Sequence, residues 1–449
     1  MKTKEPRTRA MGGRDPARGP RRPMRIVGKG LHRLTRRFAL VLLRTRWRLR
    51  RSAVADPAQP PPVRILLLNA YAMGGTIRTV FNLAGHLAGD REVEIISLIQ
   101  RRERPFFPLP PRVAVTVLDD RTQPRGRVRA LLSRAPSVLT PVEDGSFRSL
   151  SLWTDLLLAR RIRGLGHGVL IGTRPSLNLL AAELSGPGLV TIGQDHMNLG
   201  SYRAGLRRAI QGRYGRLTAL TVLTAAALAD YEQALAGTPV RIVRIPNALP
   251  ELDGGVSSGR RKVIIAAGRL APQKGFDLLI RAFEDVAVEH PDWVLRIYGS
   301  GEERERLKRM IAERGLNGHV ILKARTTAFG AQLADASVYV LSSRFEGMPM
   351  VIIEAMSKGL AVVSFDCPQG PAELIAHRGD GLLVPAEDVA GLSAALLEVI
   401  EDEGLRHRLA DRARRSAQTY DLAVVGRQWE DLLTGLCRLA PPVTGRDGP

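Results

Sequence analysis

From residue 63 onward, short apolar runs alternate with longer amphipathic stretches. Runs such as VRILLLNA, VEIISLI and GHGVLIGT have the length and the apolar content of buried parallel strands. The stretches DLLLARRIRGL and PSLNLLAAEL have the period of helices. The alternation restarts after a Pro-, Gly- and Ser-rich segment at 245–261, with KVIIAAG, WVLRIYG, VYVLSS and LAVVSF as strands. The pattern therefore predicts an α/β protein with two doubly wound parallel-sheet domains.

The same pattern sets the domain boundaries. We expect a basic tail and linker over 1–61, a first domain over 62–247 and a second over 248–420. A helix and tail over 421–449 should pack back on the first domain.

Most of the positive charge lies in the tail. Residues 1–51 contain 18 Lys and Arg and two acidic residues, and so hold +16 of the net +23. Residues 1–30 are typical of disorder. Residues 31–51 are compatible with a helix that has Leu31, Leu34, Phe38 and Leu42 in one stripe, as on an anionic membrane surface. Three interpretations stay open: peripheral membrane contact, a tail that is only solvated, or an over-long start with Met11 or Met24 as the true first residue.

Composition excludes several classes of protein. The chain is 44% hydrophobic and 25% charged, which supports sizeable cores. Two cysteines, Cys367 and Cys437, exclude a disulfide scaffold and favour a reducing compartment. Every apolar run is shorter than the roughly 18–20 residues of a spanning helix. Aromatic residues are few, 21 in all, and the sequence has no nucleic-acid recognition motif. We therefore expect no nucleic-acid partner. These features predict a cytoplasmic protein, with contact at the inner membrane face if the tail binds lipid.

Two strand-to-helix junctions combine glycine with possible anion ligands. Gly74 and Gly75 follow the first strand and open a helix, where backbone can approach an anion. Arg269 and Lys274 follow a strand of the second domain, just before a helix, and two cations there can clamp a phosphate. An ordinary tight turn and solvated surface cations are the alternatives.

Two further junctions carry glycine and acidic residues. Gly301 opens a helix at Glu302, although Ser300 with Glu303 is equally well explained as an N-cap arrangement. In SSRFEGMPMVIIEAMSKG, Glu346 lies in a loop and Pro349 suits a first helical position. Glu354 then lies on an apolar helix, where a carboxylate needs a protein donor or ligand hydroxyls.

Together these motifs resemble the retaining GT-B glycosyltransferases, and in particular glycosyltransferase family 4. MGGTIR, GRLAPQKG, YGSGEER and FEGMPMVIIEAMSKG carry the resemblance, which covers about residues 63–437. The resemblance implies two Rossmann-like domains that face an interdomain cleft. It makes the first domain the acceptor side and the second the nucleotide-sugar side.

The resemblance also implies roles for individual residues. Arg269 and Lys274 would neutralise the donor diphosphate, Glu346 would contact the donor sugar, and Glu354 the ribose. His196 matches the acceptor-side histidine only loosely, and a structural histidine is the alternative. The donor-binding set is Gly74, Gly75, Gly301, Gly347, Met348, Pro349, Met350, Val351 and Glu354.

The implied activity is transfer of a hexosyl group from a nucleotide sugar to a cell-envelope glycan, polyol-phosphate or lipid-linked acceptor. No Asp-x-Asp motif ends a strand, so we expect neither a metal nor another cofactor. Residues 322–330, LKARTTAFG, depart from the family pattern and leave the donor base open. The alternatives are a same-fold sugar-nucleotide epimerase, which Glu346 with Glu354 argues against, and a non-catalytic basic protein that binds membrane or nucleic acid.

Overall fold

The computed structural model describes residues 22–45, 59–124 and 126–439, which form two parallel sheets with helices on both faces. The strands of the first sheet are β1 (Val63–Leu67), β2 (Val93–Gln100), β3 (Ala114–Asp120), β4 (Gly168–Gly172), β5 (Leu189–Gln194), β6 (Ala219–Val222) and β7 (Arg241–Arg244). Those of the second are β8 (Val263–Ala267), β9 (Val294–Tyr298), β10 (Val320–Lys323), β11 (Val338–Leu341), β12 (Ala361–Asp366) and β13 (Leu382–Pro385).

Helices cover both sheets, and one precedes them. They are α1 (Arg22–Thr45), α2 (Gly75–Leu87), α3 (Arg127–Arg134), α4 (Leu152–Gly164), α5 (Pro175–Leu184), α6 (Ala204–Gln211), α7 (Ala225–Ala234), α8 (Phe276–Glu289), α9 (Arg304–Glu313), α10 (Phe329–Ala334), α11 (Met350–Ser357), α12 (Pro371–Leu374), α13 (Val389–Glu401), α14 (Glu403–Ala417) and α15 (Leu422–Leu439). This arrangement confirms the predicted two-domain α/β class.

A central strand of each sheet is buried along its whole length. Every residue of β4 (GVLIG) and of β8 (VIIAA) is buried. Continuous apolar strands are required because helices cover both faces of a parallel sheet. Val63 of β1 lies opposite Val93 of β2 and Val169 of β4, which fixes the register at the centre of the first sheet.

Strand order places one switch point in each sheet. The first sheet runs β3-β2-β1-β4-β5-β6-β7 and the second β10-β9-β8-β11-β12-β13. The connections leave in opposite directions from β1 and β4, and from β8 and β11. Ligands of such sheets bind beyond the carboxyl ends of the strands at this point, so the candidate site belongs to the loops that follow these strands.

The last helix returns from the second domain to the first. Trp429 and Leu433 of α15 are buried in one cluster with β1, β2 and α2. His86 of α2 lies 2.7 Å from Glu430 of α15. The return segment also contacts the outgoing linker, where the Leu249 amide donates to the Tyr420 carbonyl at 2.7 Å. The two domains are thus joined by two adjacent chain segments.

The helix before β1 begins earlier than its sequence pattern predicts. Helix α1 starts at Arg22 and ends at Thr45, whereas we expected disorder to residue 30 and a helix over 31–51. Residues 1–21 and 46–51 of the predicted tail lie outside the described residues. Among the described helices, none has both the length and the hydropathy to cross a membrane.

Candidate active site between the two sheets

Three loops converge at the carboxyl edge of the second sheet. Strand β8 lies between β9 and β11, so the loops after these strands are neighbours. The loop after β8 carries Arg269 and Lys274, the loop after β9 carries Gly301, and the loop after β11 carries Glu346. Topology therefore brings together residues that are up to 77 positions apart in the sequence.

Lys274 and Glu346 form an ion pair at the centre of this edge. Lys274 Nζ lies 2.6 Å from Glu346 Oε1, and the two side chains are 18% and 8% exposed. Ser343 Oγ donates to the same carboxylate oxygen at 2.5 Å. Two donors on one oxygen fix the orientation of the carboxylate, which leaves Oε2 free of these two contacts.

A second ion pair holds the two loops together. Arg344 donates to both carboxylate oxygens of Asp277, at 3.0 and 2.9 Å, and Asp277 is in the first turn of α8. The bidentate pair holds the pKa of Asp277 below its usual range despite the opposing effect of burial. Gln273 Nε2 also donates to the Phe345 carbonyl at 3.0 Å. The loops that carry Lys274 and Glu346 are therefore fixed relative to each other.

Arg269 is exposed beside this cluster. Within the described residues, no carboxylate lies within ion-pair distance of its guanidinium. Lys274 is committed to Glu346, whereas Arg269 has its charge available to an anion. The two predicted clamp residues thus share one edge and differ in how they are held.

The predicted glycines fall into two groups. A Cβ at Gly301 would lie 2.1 Å from the Leu270 carbonyl oxygen, and one at Gly347 would lie 2.6 Å from the His196 carbonyl oxygen. Close backbone approach within the protein explains both. At Gly74 the nearest atom to an added Cβ is 3.8 Å away, and at Gly75 nothing lies within 4 Å. No protein contact demands glycine at 74–75, so this loop offers open space to a ligand.

Helix α11 begins one residue later than predicted. Pro349 is the N-cap residue, and the first helical residues are Met350 and Val351. Pro349 has no N–H to donate, so amides available to an anion at this terminus belong to the residues around it. Met348 and Pro349 are buried, and Met350 and Val351 are half-buried. Glu302 likewise precedes its helix, since α9 begins at Arg304.

Glu354 is buried on α11 and faces a cation of the first domain. The residue is 6% exposed, and Arg78 Nη1 of α2 lies 3.4 Å from its Oε1. Burial raises the pKa of Glu354 to about 7, and the Arg78 guanidinium acts in the opposite direction. Arg78 also donates to the Glu251 carbonyl at 3.0 Å and lies over the Phe107 ring. The protein donor that a buried carboxylate requires therefore comes from the other domain.

This raised pKa predicts that stability depends on pH through Glu354. A carboxyl with a folded-state pKa of about 7 and an ordinary value of 4.5 stabilises the fold most below pH 4.5 and loses this contribution as pH rises to 7. At about 1.4 kcal/mol per pKa unit, the loss is about 3 kcal/mol. The free energy of unfolding of Glu354→Gln, relative to the wild type, should therefore increase over this range. The control variant Glu313→Gln, at an exposed position, should show the same pH dependence of the free energy of unfolding as the wild type. If the difference in this free energy between Glu354→Gln and the wild type does not change with pH, the assignment is refuted.

His196 follows β5 on the first-domain side of the cleft. Its Nε2 is buried without a hydrogen-bond partner among the described residues, and burial lowers the pKa of the imidazole to about 4. The ring is therefore neutral at physiological pH. A neutral imidazole with an unpaired nitrogen can accept or donate one hydrogen bond to a ligand hydroxyl.

A cavity of about 1050 Å³ opens at the carboxyl edge of the first sheet. His196 lines it, together with the loops after β1 and β4, the segment 142–148 and the start of α6. Gly74 and Gly75 also line this cavity. The predicted first-domain residues thus border one cavity, large enough for a sugar-sized ligand.

Asp195 is the most perturbed acid of this cavity. It accepts hydrogen bonds from the Tyr202 and Tyr231 hydroxyls, and the Met197 amide donates to it at 3.2 Å. Burial nevertheless raises the pKa of Asp195 to about 6. A carboxyl of this kind, beside the neutral His196, is a candidate for proton transfer or for hydroxyl recognition.

The two halves of the site touch. Asn198 Nδ2 donates to the Glu346 carbonyl at 2.6 Å, and the Asn247 amide contacts Met348 Sδ at 3.4 Å. At the rim, Glu373 accepts from the Ala225 amide at the start of α7. These contacts join the two domains beside Glu346, and the cavity described above lies on the first-domain side.

One group of potential metal ligands is found among the described residues. Glu289, His290 and Glu401 have ligand atoms within 4.8 Å of one another. They lie at the C-terminal ends of α8 and α13, whereas Lys274 precedes the N-terminus of α8.

Several site residues were missed by sequence reasoning. Arg78 lies in the quoted MGGTIR motif, one helical turn from Gly74 and Gly75, and that spacing places it on the cleft side. Asp195 adjoins His196, but its tyrosine partners come from distant positions. Asn198 and Arg344 carried no signal, because their partners are 148 and 67 residues away.

Comparison with solved structures defines the fold class. TarM of S. aureus superposes with a TM-score of 0.66 at 15% identity, covering 83% of this chain and 99% of TarM. Sucrose-phosphate synthase of Thermosynechococcus elongatus gives 0.67 at 17% identity, covering 84% of this chain and all of the synthase chain. Such similarity shows the fold: the chain has the GT-B architecture.

Sequence comparison assigns the second domain. Residues 253–416 match the family described as Glycosyl transferases group 1, so this part of the chain is a group 1 glycosyltransferase domain. An exopolysaccharide phosphotransferase of Streptomyces coelicolor is 34% identical over 86% of this chain, and the chain spans 41% of that protein's length. The amylovoran biosynthesis glycosyltransferase AmsD of Erwinia amylovora is 26% identical over 82% of this chain and 98% of its own.

Proposed function

We propose that the chain is a retaining glycosyltransferase that moves a hexosyl group from a nucleotide-diphosphate sugar to a cell-envelope glycan, polyol-phosphate or lipid-linked acceptor. The observation that carries the proposal is the Lys274–Glu346 pair beside the exposed Arg269, at the switch point of a group 1 domain. The relatives support a cell-envelope acceptor: one is a poly(ribitol-phosphate) α-N-acetylglucosaminyltransferase of Staphylococcus aureus, 28% identical over 38% of this chain.

The second domain would hold the donor. Departure of a nucleoside diphosphate places negative charge on the β-phosphate oxygen, and fixed cations stabilise that charge most where water is excluded. Arg269 and Lys274 supply two such cations, and amides at the start of α11 add dipoles of the right sign. Glu354 would accept the ribose hydroxyls, which requires Arg78 to share or release its carboxylate.

The first domain would bring the acceptor hydroxyl to the anomeric carbon. Glu346, fixed through one oxygen, would orient the donor sugar, and the 1050 Å³ cavity bordered by His196 would receive the acceptor. The new glycosidic bond forms on the face that the diphosphate leaves. The acceptor proton passes to the departing phosphate oxygen. No protein nucleophile is assigned.

The donor class can be identified by thermal shift. Purified full chain is heated with UDP-, GDP- or ADP-sugars, and one nucleotide series should raise Tm because only the folded state binds it. A shift in one series that is lost in Arg269→Ala supports the proposal. No shift in any series at millimolar donor would contradict it.

We also propose that turnover needs no metal, because the cations of the site neutralise the leaving group. Donor turnover should persist in EDTA at close to its untreated rate. Complete loss that is restored by Mn²⁺ or Mg²⁺ would refute this part of the proposal.

A further inference from the structure

Helix α1 has two apolar faces, and the structure accounts for one of them. The inner face packs on the first domain: Leu40 is 4% exposed and belongs to the main core cluster there. Arg36 Nε donates to the Leu139 carbonyl at 2.7 Å, and His32 contacts the Ser137 carbonyl at 3.0 Å. At the C-terminal end, the Arg163 guanidinium donates to the Leu43 carbonyl at 2.7 Å. The helix is therefore held to the domain along three turns.

The outer face of α1 exposes a stripe of large apolar side chains. Leu31, Leu34, Phe38 and Val41 are 63%, 65%, 73% and 54% exposed. Their spacing of three and four residues places them on one side of the helix, roughly opposite Leu40. Isolated exposed apolar residues are ordinary, but a continuous stripe marks an interaction surface.

The charge around this stripe points to an anionic partner. Helix α1 contains no Asp or Glu, and Arg37 is exposed beside the stripe. Residues 1–21, which precede the helix, add seven Lys and Arg against two acids. Helix α3, which ends just before Ser137 in the chain, exposes Val128 and Leu131 and carries Arg127 and Arg134. Arginine beside exposed apolar side chains suits a bilayer with anionic headgroups.

We propose that the outer face of α1 docks the first domain on an anionic lipid bilayer in a fixed orientation. The orientation follows from the anchoring of α1 and from its contact with the walls of the candidate acceptor cavity. Arg33 pairs with Glu143 at 2.6 Å, and His32 packs edge-on against Phe147; Glu143 and Phe147 both line that cavity. Docking therefore brings the cavity wall to the lipid surface. The function of the cavity rests on the proposed glycosyltransferase activity, but docking itself does not.

Vesicle binding by the full chain tests the proposal without any turnover. The protein should co-sediment with phosphatidylcholine vesicles that contain phosphatidylglycerol and should bind pure phosphatidylcholine far more weakly. Binding should weaken as salt rises, because headgroup attraction is screened within about 8 Å at physiological ionic strength. Leu34→Ser with Phe38→Ser should weaken binding at least about tenfold, because two large side chains no longer enter the interface.

A matched double variant controls for surface hydrophobicity. Val256→Ser with Val288→Ser removes two exposed apolar residues of the second domain, 56% and 80% exposed, and should bind vesicles as the wild type does. When the Phe38→Trp variant binds vesicles that contain brominated lipids, the fluorescence of the introduced indole should be quenched. Far-UV circular dichroism and Tm establish that each variant is folded.

Three outcomes would overturn the proposal. The first is no binding to anionic vesicles at low salt. The second is vesicle binding that is unchanged in the Leu34→Ser/Phe38→Ser variant, which would mean that arginine side chains attract the vesicles non-specifically and that the stripe does not take part. The third is a stripe-dependent self-association of the chain without vesicle binding, which would make a second copy the occupant. None of these readouts depends on donor turnover, so failure here leaves the proposed function standing.

Discussion

Replacing Arg269 and Lys274 together with alanine should lower donor turnover at least about 10³-fold, because single losses of a preorganised charge donor cost about 10²–10³-fold. Lys274 Nζ is held 2.6 Å from Glu346, whereas Arg269 is exposed and unpaired among the described residues. We expect Lys274→Ala to affect kcat, since it also releases the Glu346 carboxylate. Arg269→Ala should affect donor affinity as well, since its guanidinium must be ordered by the diphosphate. Steady-state kinetics with a single donor separates the two effects.

A charge-matched control is available in the same domain. Arg260 and Lys262 are exposed, and the pairing of Lys262 with Asp292 is at the surface. Arg260→Ala with Lys262→Ala removes the same charge and should keep nearly full turnover. If the Arg269/Lys274 double variant is folded and equally active, these two residues do not clamp the diphosphate.

Glu346→Gln should lower kcat by about 10²-fold or more while changing donor affinity much less. The substitution keeps the volume of the side chain but removes its charge. An amide nitrogen facing Lys274 would repel the ammonium, so the side chain either rotates or loses this contact. Both outcomes disturb a group that we propose to orient the sugar in the transition state, where a small displacement is costly.

Two further variants serve as comparisons for Glu346→Gln: Ser343→Ala as a weaker perturbation and Glu313→Gln as a neutral control. Ser343 fixes the carboxylate through Oγ at 2.5 Å, so its loss should lower kcat less than Glu346→Gln does. Glu313 is exposed on α9 and should be neutral. A Glu346→Gln enzyme with kcat within threefold of the wild type would exclude the orienting role. A variant that loses donor affinity instead would place Glu346 in ground-state binding.

The strand and loop framework could be read from the sequence because parallel strands carry a continuous apolar signal. The runs around β1, β4, β8 and β12 were recognisable, and each chemically unusual residue follows a strand end. Lys274 and Glu346 were selected individually in this way. Their ion pair was not predictable, because it depends on β8 and β11 being neighbours in the sheet.

Other parts of the site depend on contacts between the domains. Arg78 reaches Glu354 across the cleft, and Asn198 reaches the Glu346 carbonyl; neither pairing has a local pattern. The start of α1 was also wrong in the sequence prediction, since Arg and Gly between residues 22 and 30 suggested disorder. Anchoring of α1 to the Ser137–Leu139 segment favours an ordered helix that propensity alone does not predict.

The central claim is most directly tested by following the anomeric proton of a nucleotide sugar by NMR during incubation with the full chain. The account predicts release of the nucleoside diphosphate and a product, glycoside or initially formed free sugar, with the anomeric configuration of the donor. Lys274→Ala should slow diphosphate release and product formation about 10²–10³-fold, whereas the Arg260→Ala/Lys262→Ala control should preserve both rates. A product of inverted configuration, or no diphosphate release from UDP-, GDP- and ADP-sugars with an acceptor preparation present, would contradict the account.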